Sequence, residues 1–350
     1  MNIVVLAGGL SPERNVSLST GVMVTEALRQ RGHGAALVDM FFGLEDYEGP
    51  LEALFEAPVP EEAKRIDSKA PDLAEVRARR RDKSASLFGA RVLELCALAD
   101  VVFLALHGTC GEDGRVQAAL DLLGIPYTGA GSLGSAIAMD KDLTKRLVAD
   151  VVNTPGWKTV EYEALDIEGL VESARLPLVV KPVASGSSIG VSIVHTKEAL
   201  REALQAGAAL GGRTVLEEYV KGREVQVGIL EDCALPSIEI IPKADFYDYE
   251  NKYQPGAAVE VCPAEIPAEI EERLRRAALR VYETLGLSVY SRADFILDSD
   301  GEIWFLEINT LPGMTPTSLL PQEAAAAGVD YASLCERIVQ TSLVARKAGR

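Results

Sequence analysis

Three histidines, two tryptophans and five cysteines are all that 350 residues contain of these types. So few histidines leave little basis for a His-rich metal site. The cysteines (Cys96, Cys110, Cys233, Cys262 and Cys335) are odd in number, scattered and without CxxC spacing. That excludes a disulfide framework and points to free thiols in a reducing cytoplasm. Positive charge is also short. Against 52 Asp and Glu stand 35 Lys and Arg, a net charge of −17, which argues against non-specific nucleic-acid binding. No apolar run is long enough to span a membrane. The opening residues lack a basic leader and a cleavage site, and read as a strand. What is present is a 48% apolar content, enough for two or three packed subdomains.

The order of elements is β-α-β from the start. Residues 2–7 form an apolar strand, 17–31 a helix ending at Gly32, and 35–40 a second strand. That predicts a doubly wound parallel sheet. Residues 43–95 are less legible; their basic run at 77–83 reads as a solvated helix face. A strand over 100–106 ends in a polar loop beginning at His107, where an open α/β sheet binds ligands. Helices are predicted over 116–123, 135–151, 270–286 and 331–348. Strands are predicted over 178–183, 191–195 and 215–220, with a hairpin over 224–241.

The most informative stretch is Arg292-Ala293-Asp294 followed by Glu307-Ile308-Asn309. Two apolar strands and a turn at 298–301 lie between them, so a hairpin brings its outer ends together. Glu307 and Asn309 share a strand face. With Asp294 they offer two carboxylates and an amide oxygen, hard ligands suited to Mg²⁺ beside a nucleotide phosphate. Arg292 adds a planar cation for developing negative charge. Turn chemistry accounts for 298–301. It does not account for Glu307 and Asn309, which follow large apolar residues.

Two glycine-rich segments compete as phosphate loops. Gly129-Ala130-Gly131-Ser132-Leu133-Gly134 fits the dinucleotide pattern, so a nicotinamide dehydrogenase has to be weighed. Its preceding strand is short and holds Pro126, and the acidic residue about twenty positions on is at best Asp150, inside a predicted helix. The second segment, Ser185-Gly186-Ser187-Ser188-Ile189-Gly190, lies between two strands and follows Lys181. Such a flap offers backbone N–H groups and hydroxyls to phosphates, with Lys181 as a point charge.

In this order the pieces resemble the ATP-grasp superfamily, and within it the D-alanine–D-alanine ligases. Four motifs carry the resemblance: Gly-Gly-x-Ser-x-Glu-Arg-x-Val-Ser-Leu at 8–18, His-Gly-x-x-Gly-Glu-Asp-Gly at 107–114, Phe-Tyr-Asp-Tyr-Glu-x-Lys-Tyr at 246–253 and Glu-x-Asn-Thr-x-Pro-Gly-Met-Thr at 307–315. It runs over 1–42 and about 98–345 and is lost through 43–95. The resemblance implies three α/β subdomains: an N-terminal first-substrate domain over 1–128, a central one with the phosphate loop over 129–216, and a C-terminal one with the metal site and a mobile loop over 217–350. It implies ATP-dependent ligation of two D-alanines through an acyl phosphate, for a peptidoglycan precursor, by a cytoplasmic homodimer using two Mg²⁺ or Mn²⁺ ions, with neither nucleic-acid nor membrane partners.

Roles carry over by position. Glu13 matches the carboxylate that holds the first D-alanine's ammonium, and Ser187 and Tyr253 the hydroxyls linked to it. Ser188 belongs to the phosphate loop. Lys141, Lys181 and Lys252 match phosphate contacts. Glu217, Tyr219, Val220 and Glu224 lie where the family holds adenine and ribose, with Phe246 nearby. Asp294, Glu307 and Asn309 match the metal ligands, and Arg292 and the Gly313 N–H the oxyanion stabilisers. Ser318 and Leu319 match the site of the second substrate's carboxylate, and His107 is a further candidate substrate residue, the alternative being that it simply orders its loop. Val183-Ala184-Ser185 replaces an Arg-Glu pair common in the family. The loop over 246–253 has no histidine, which disfavours a D-alanyl-D-lactate ligase. A D-alanyl-D-serine ligase and a silent nucleotide-binding scaffold are the remaining alternatives.

Overall fold

Asn2–Ala7 (β1) is buried at every position after the first because both of its faces are covered. In the computed structural model, which describes residues 1–59, 71–184, 186, 190–210, 212–242 and 258–348, β1 is the middle strand of a parallel sheet. Gly34–Asp39 (β2) and Val101–Leu104 (β3) flank it in the order β2-β1-β3. Helix α1 (Arg14–Gln30) packs Val24, Ala27 and Leu28 into the core. It starts three residues before the expected Ser17. Ser17 is a fully buried bridge instead: its hydroxyl accepts the Gly8 N–H at 2.8 Å and donates to the Ala105 carbonyl at 2.6 Å. The ends of β1 and β3 are thereby tied together.

Between β2 and β3 lie a 3₁₀ turn (Leu51–Phe55), α2 (Leu73–Arg79) and α3 (Val92–Ala97). The basic run there is not wholly a solvated face. Arg80 is 1% exposed, stands over the Phe41 ring and donates to the carbonyls of Ser86 and Phe88. Its Nη groups reach those carbonyls and the Asp82 carboxylate at 2.8 Å, the fork that lets this guanidinium be buried. Helix α4 (Arg115–Leu122) follows β3.

The helix expected over 135–151 is two, α5 (Ser132–Met139) and α6 (Lys141–Val148). The break falls at Asp140, whose extended backbone lets its carboxylate accept the Leu143 N–H at 2.9 Å. That N-cap restarts the helix, and Lys141 becomes its first residue.

A second, antiparallel sheet has the order β4-β7-β5-β6. Its strands are β4 (Trp157–Glu161), β5 (Leu178–Pro182), β6 (Ser192–Val194) and β7 (Arg213–Glu218). With α7 (Ile167–Ser173) and α8 (Lys197–Leu210) it closes its own small core around Val171, Val180, Leu200 and Leu204. The chain then crosses through residues 219–221 into a third sheet. This one contains β8 (Gly222–Leu230), β9 (Cys233–Ala234), β10 (Ile238–Pro242), β11 (Ala258–Val261), β12 (Tyr290–Asp298) and β13 (Ile303–Asn309). Its path is β11-β10-β8-β12-β13, with β9 paired to β8, and α9 (Ala268–Thr284) lies against it. Finally α10 (Leu319–Ala326) and α11 (Tyr331–Ala348) return to the first domain, where Leu334, Cys335, Ile338 and Val339 complete the core of the parallel sheet. Among the described residues no helix is long and apolar enough to cross a membrane.

Candidate active site

The 292–309 hairpin forms as its sequence predicts. Strands β12 and β13 pair antiparallel with Arg292 opposite Asn309 and Asp294 opposite Glu307. A bulge follows Asp294, since Phe295 pairs with Phe305 and leaves Leu306 unmatched. Bulges of this kind re-aim side chains beside functional sites. Arg292 forks onto Asp294 at 2.9 and 3.0 Å, and the Asn309 amide donates to the same carboxylate at 3.3 Å. Glu307 Oε2 stands 3.0 Å from Lys141 Nζ. Neighbouring carboxylates hold the Arg292 guanidinium even more firmly charged than usual, against its burial. Among the described residues no three His, Cys, Asp or Glu side chains gather as a metal cluster. Two carboxylates with one amide are a partial, all-oxygen donor set. It fits Mg²⁺, which completes its shell with water and phosphate oxygens.

Glu13 lies at the N-terminal end of α1, 7% exposed. Two glycines close on it from different domains. A methyl group on Gly108 would sit 2.7 Å from Glu13 Oε2, and one on Gly186 2.8 Å from the same atom. Gly108 has a φ of +70° as well, so a side chain there is excluded twice. Gly186, in the glycine-rich segment after β5, therefore lies against Glu13.

The His107 loop meets the end of β13 through Leu311. His107 Nδ1 lies 3.1 Å from the Leu311 carbonyl, and its Nε2 3.3 Å from Thr20 Oγ1. Burial pushes the imidazole pKa below its ordinary value. A neutral ring donates from Nδ1 and accepts from Thr20. Glu112 takes the other side: Oε2 accepts the Gly108 N–H at 2.8 Å and Oε1 the Leu311 N–H at 3.3 Å. Burial, reinforced by the nearby Glu13 charge, pushes the Glu112 carboxyl up to about 8.

A third cluster joins α6, β5 and β7. Lys181 Nζ and Lys145 Nζ both stand 2.8 Å from Glu217 Oε2. Glu217 is 2% exposed, so it is a buried charge centre and not a strand-edge residue. Tyr219 and Val220 are half-buried in the crossing between the second and third sheets, and the Tyr219 ring meets His195 edge-on at 5.9 Å. Glu224 lies on β8 and accepts from Gln226 at 3.3 Å. Gly313 and Ser318 are neighbours, since a methyl group on Gly313 would lie 2.8 Å from Ser318 Oγ. Ser318 and Leu319 open α10, whose first-turn N–H groups suit a carboxylate. Ser187, Ser188, Phe246, Lys252 and Tyr253 lie outside the described residues.

The dinucleotide-like glycines have a packing role. Gly134 lies on α5 where a methyl group would come within 2.9 Å of Leu287 Cδ2, and Asp150 falls in the turn after α6. The thiols of Cys96, Cys262 and Cys335 are free, and burial pushes each up to about 12. None is a ready nucleophile at neutral pH.

Sequence reasoning passes over three buried groups. Glu112 is one, although it lies inside a recognised motif. Lys145 is 0% exposed; its only signal is a spacing of four from Lys141, which puts both on one helix face. Glu323 on α10 is also 0% exposed and accepts the Gly228 N–H at 2.7 Å. Burial drives its carboxyl well above the ordinary range.

Comparison with known proteins covers nearly the whole chain. A family model described as the D-ala D-ala ligase N-terminus matches residues 2–130, and one described as the D-ala D-ala ligase C-terminus matches 150–340. The first takes in 43–95, where the motif resemblance is lost. A D-alanine–D-alanine ligase of Pediococcus pentosaceus is 42% identical over 344 residues, 97% of each chain. A crystal structure of D-alanine–D-alanine ligase from Bacillus anthracis complexed with ATP has a TM-score of 0.74 at 33% identity, covering 100% of both chains. The VanG D-Ala:D-Ser ligase from Enterococcus faecalis has a TM-score of 0.75 at 28% identity, covering 97% of this chain and 99% of its own.

Proposed function

The chain belongs to the D-alanine–D-alanine ligase family, with an ATP-grasp fold, and from that premise we propose that it joins two D-alanine molecules into D-alanyl-D-alanine with conversion of ATP to ADP and phosphate. The observation that carries this reading is the double grip on Leu311. His107 and Glu112, next to Glu13, hold the backbone that leads from the Asp294–Glu307–Asn309 hairpin to Gly313. Segments about two hundred residues apart in sequence thus meet, as one shared cleft would require.

The chemistry needs such a cleft because a carboxylate is inert toward amines: its oxygen is a poor leaving group. The first D-alanine's carboxylate oxygen bonds to the γ-phosphorus, and ADP leaves. The second D-alanine's amine then attacks the acyl carbon, loses a proton, and phosphate departs with the C–O bond electrons. Glu13 holds the first substrate's ammonium beside Gly108 and Gly186. Lys141 and Lys181 contact the transferring and bridging phosphates. Arg292 and the Gly313 N–H face the oxyanion of the tetrahedral intermediate. The N-terminus of α10 at Ser318 and Leu319 takes the second carboxylate. Asp294, Glu307 and Asn309 would hold Mg²⁺ or Mn²⁺, which when bound neutralises phosphate charge. The reading assigns Ser187 and Tyr253 the hydroxyls linked to Glu13, and Glu217, Tyr219, Val220, Glu224 and Phe246 the recognition of adenine and ribose. A cytoplasmic homodimer serving peptidoglycan precursor synthesis completes the reading.

The test is phosphate release with ATP, magnesium and D-alanine, with product identified by mass against parallel D-lactate and D-serine incubations. D-alanyl-D-alanine is the expected product. Release of phosphate only with D-lactate or D-serine as second substrate reassigns the enzyme, and no release with any of them overturns the reading.

A further inference from the structure

Three charged side chains meet in the interior where α6, β5 and β7 join, and the reaction as written uses two of them. The third, Lys145, has no exposed surface. Its ammonium touches Glu217 Oε2 at 2.8 Å, donates to Thr154 Oγ1 and lies over the Trp157 ring at 5.6 Å. Thr154 in turn donates to the Phe305 carbonyl at 3.1 Å. Lys145 is thereby fixed on three sides. Lys181 is placed differently. It stands on β5 just ahead of the phosphate loop and shares the same Glu217 oxygen at 2.8 Å.

We propose that Lys145 is a positioning residue that keeps Glu217 neutralised so that Lys181 is able to leave it for a phosphate. The inference rests on the reading of Lys181 as a phosphate contact. A buried carboxylate that loses its only cation is strongly disfavoured. With a single lysine, the gain from a phosphate contact would be set against the stranding of Glu217. With two, Glu217 retains a partner and one positive charge remains for the nucleotide. The shared oxygen makes the exchange local, since Glu217 need not move when Lys181 departs.

The experiment is calorimetric titration of the full chain with ATP and magnesium in the absence of D-alanine, beside a titration with adenosine, which has no phosphate. Lys145→Met is expected to weaken ATP about tenfold, the scale of one charge-assisted hydrogen bond, and to leave adenosine unchanged. In turnover the same variant raises KM for ATP with little change in kcat. In a Glu217→Gln background, adding Lys145→Met is expected to change ATP affinity less than about twofold, because the two side chains act as one unit. Equal losses for ATP and adenosine would show a merely structural lysine and overturn the inference. So would a tenfold loss that persists with Glu217→Gln. If Lys145→Met does not fold, Lys145→Gln, which keeps length and a donor without charge, is read by the same two titrations. A wild type that binds ATP while the variant binds it equally well sinks this inference alone; a wild type that does not bind ATP sinks the ligase reading with it.

Discussion

Arg292 and Asp294 stand two residues apart on one strand face and hold each other in a bidentate fork. The fork preorients the guanidinium before any oxyanion forms, which is how a fixed cation lowers a barrier. Arg292→Ala is expected to lower kcat about a hundredfold or more while ATP binding is largely kept, as read by turnover and calorimetry. An equal collapse of ATP affinity would remove its assigned role. Glu112 sets a pH prediction. Its folded pKa, about 8, lies above that of the unfolded chain, so the folded state retains a proton that the unfolded state has lost. Stability from this group therefore falls as pH rises from about 4.5 to 8. The melting temperature of wild type relative to Glu112→Gln should drop across that window. The opposite slope would mean that the Gly108 and Leu311 N–H groups overcome burial. The pairing of Arg292 and Asp294 with Asn309 and Glu307 was legible, because a carboxylate or amide after a run of large apolar residues needs a reason to be there. Lys145, Glu112 and Glu323 were not, because lysine and glutamate in amphipathic segments are ordinarily solvated and only tertiary packing buries them.

At the scale of elements, most strands and the hairpin register could be read from apolar runs and turn residues, with boundaries a few residues off. The parallel sheet, the β12–β13 pairing and the last helix follow the pattern in the sequence. The break between α5 and α6 does not, because helical periodicity continues across it. Only the cap chemistry of Asp140 marks the restart. That cap also pairs with Arg213 of β7 and sets Lys141 at the head of α6, where its N–H meets the Val183 carbonyl at 3.1 Å. Asp140→Ala is expected to lower stability by about 1 kcal/mol, measured by denaturant unfolding, and to raise KM for ATP because Lys141 loses its anchor. Unchanged ATP kinetics would separate the cap from the site.

On the scale of the molecule, the three sheets do not each own a private core. The central sheet does, around Val171 and Leu200. The parallel sheet instead shares its interior with Leu311, Met314, Leu320 and the inner face of α11. Sequence could not show this, because apolar positions on a terminal helix say nothing of which face they cover. Leu334 has no exposed surface. Leu334→Ala should destabilise the protein by about 3 kcal/mol. In denaturant unfolding, loss of the first domain's signal at lower concentration than the central sheet's is the expected sign. Simultaneous, undiminished transitions would count against the shared core.

A ribosome making this protein releases β1 well before α11. The parallel-sheet domain emerges with the apolar face intended for α11 still uncovered, and its closure waits for that helix. Vectorial folding, domain by domain, is the common habit of long chains. Here the parallel-sheet domain must remain open until α11 emerges, and a premature stop codon shortly before α11 would leave that domain unsealed.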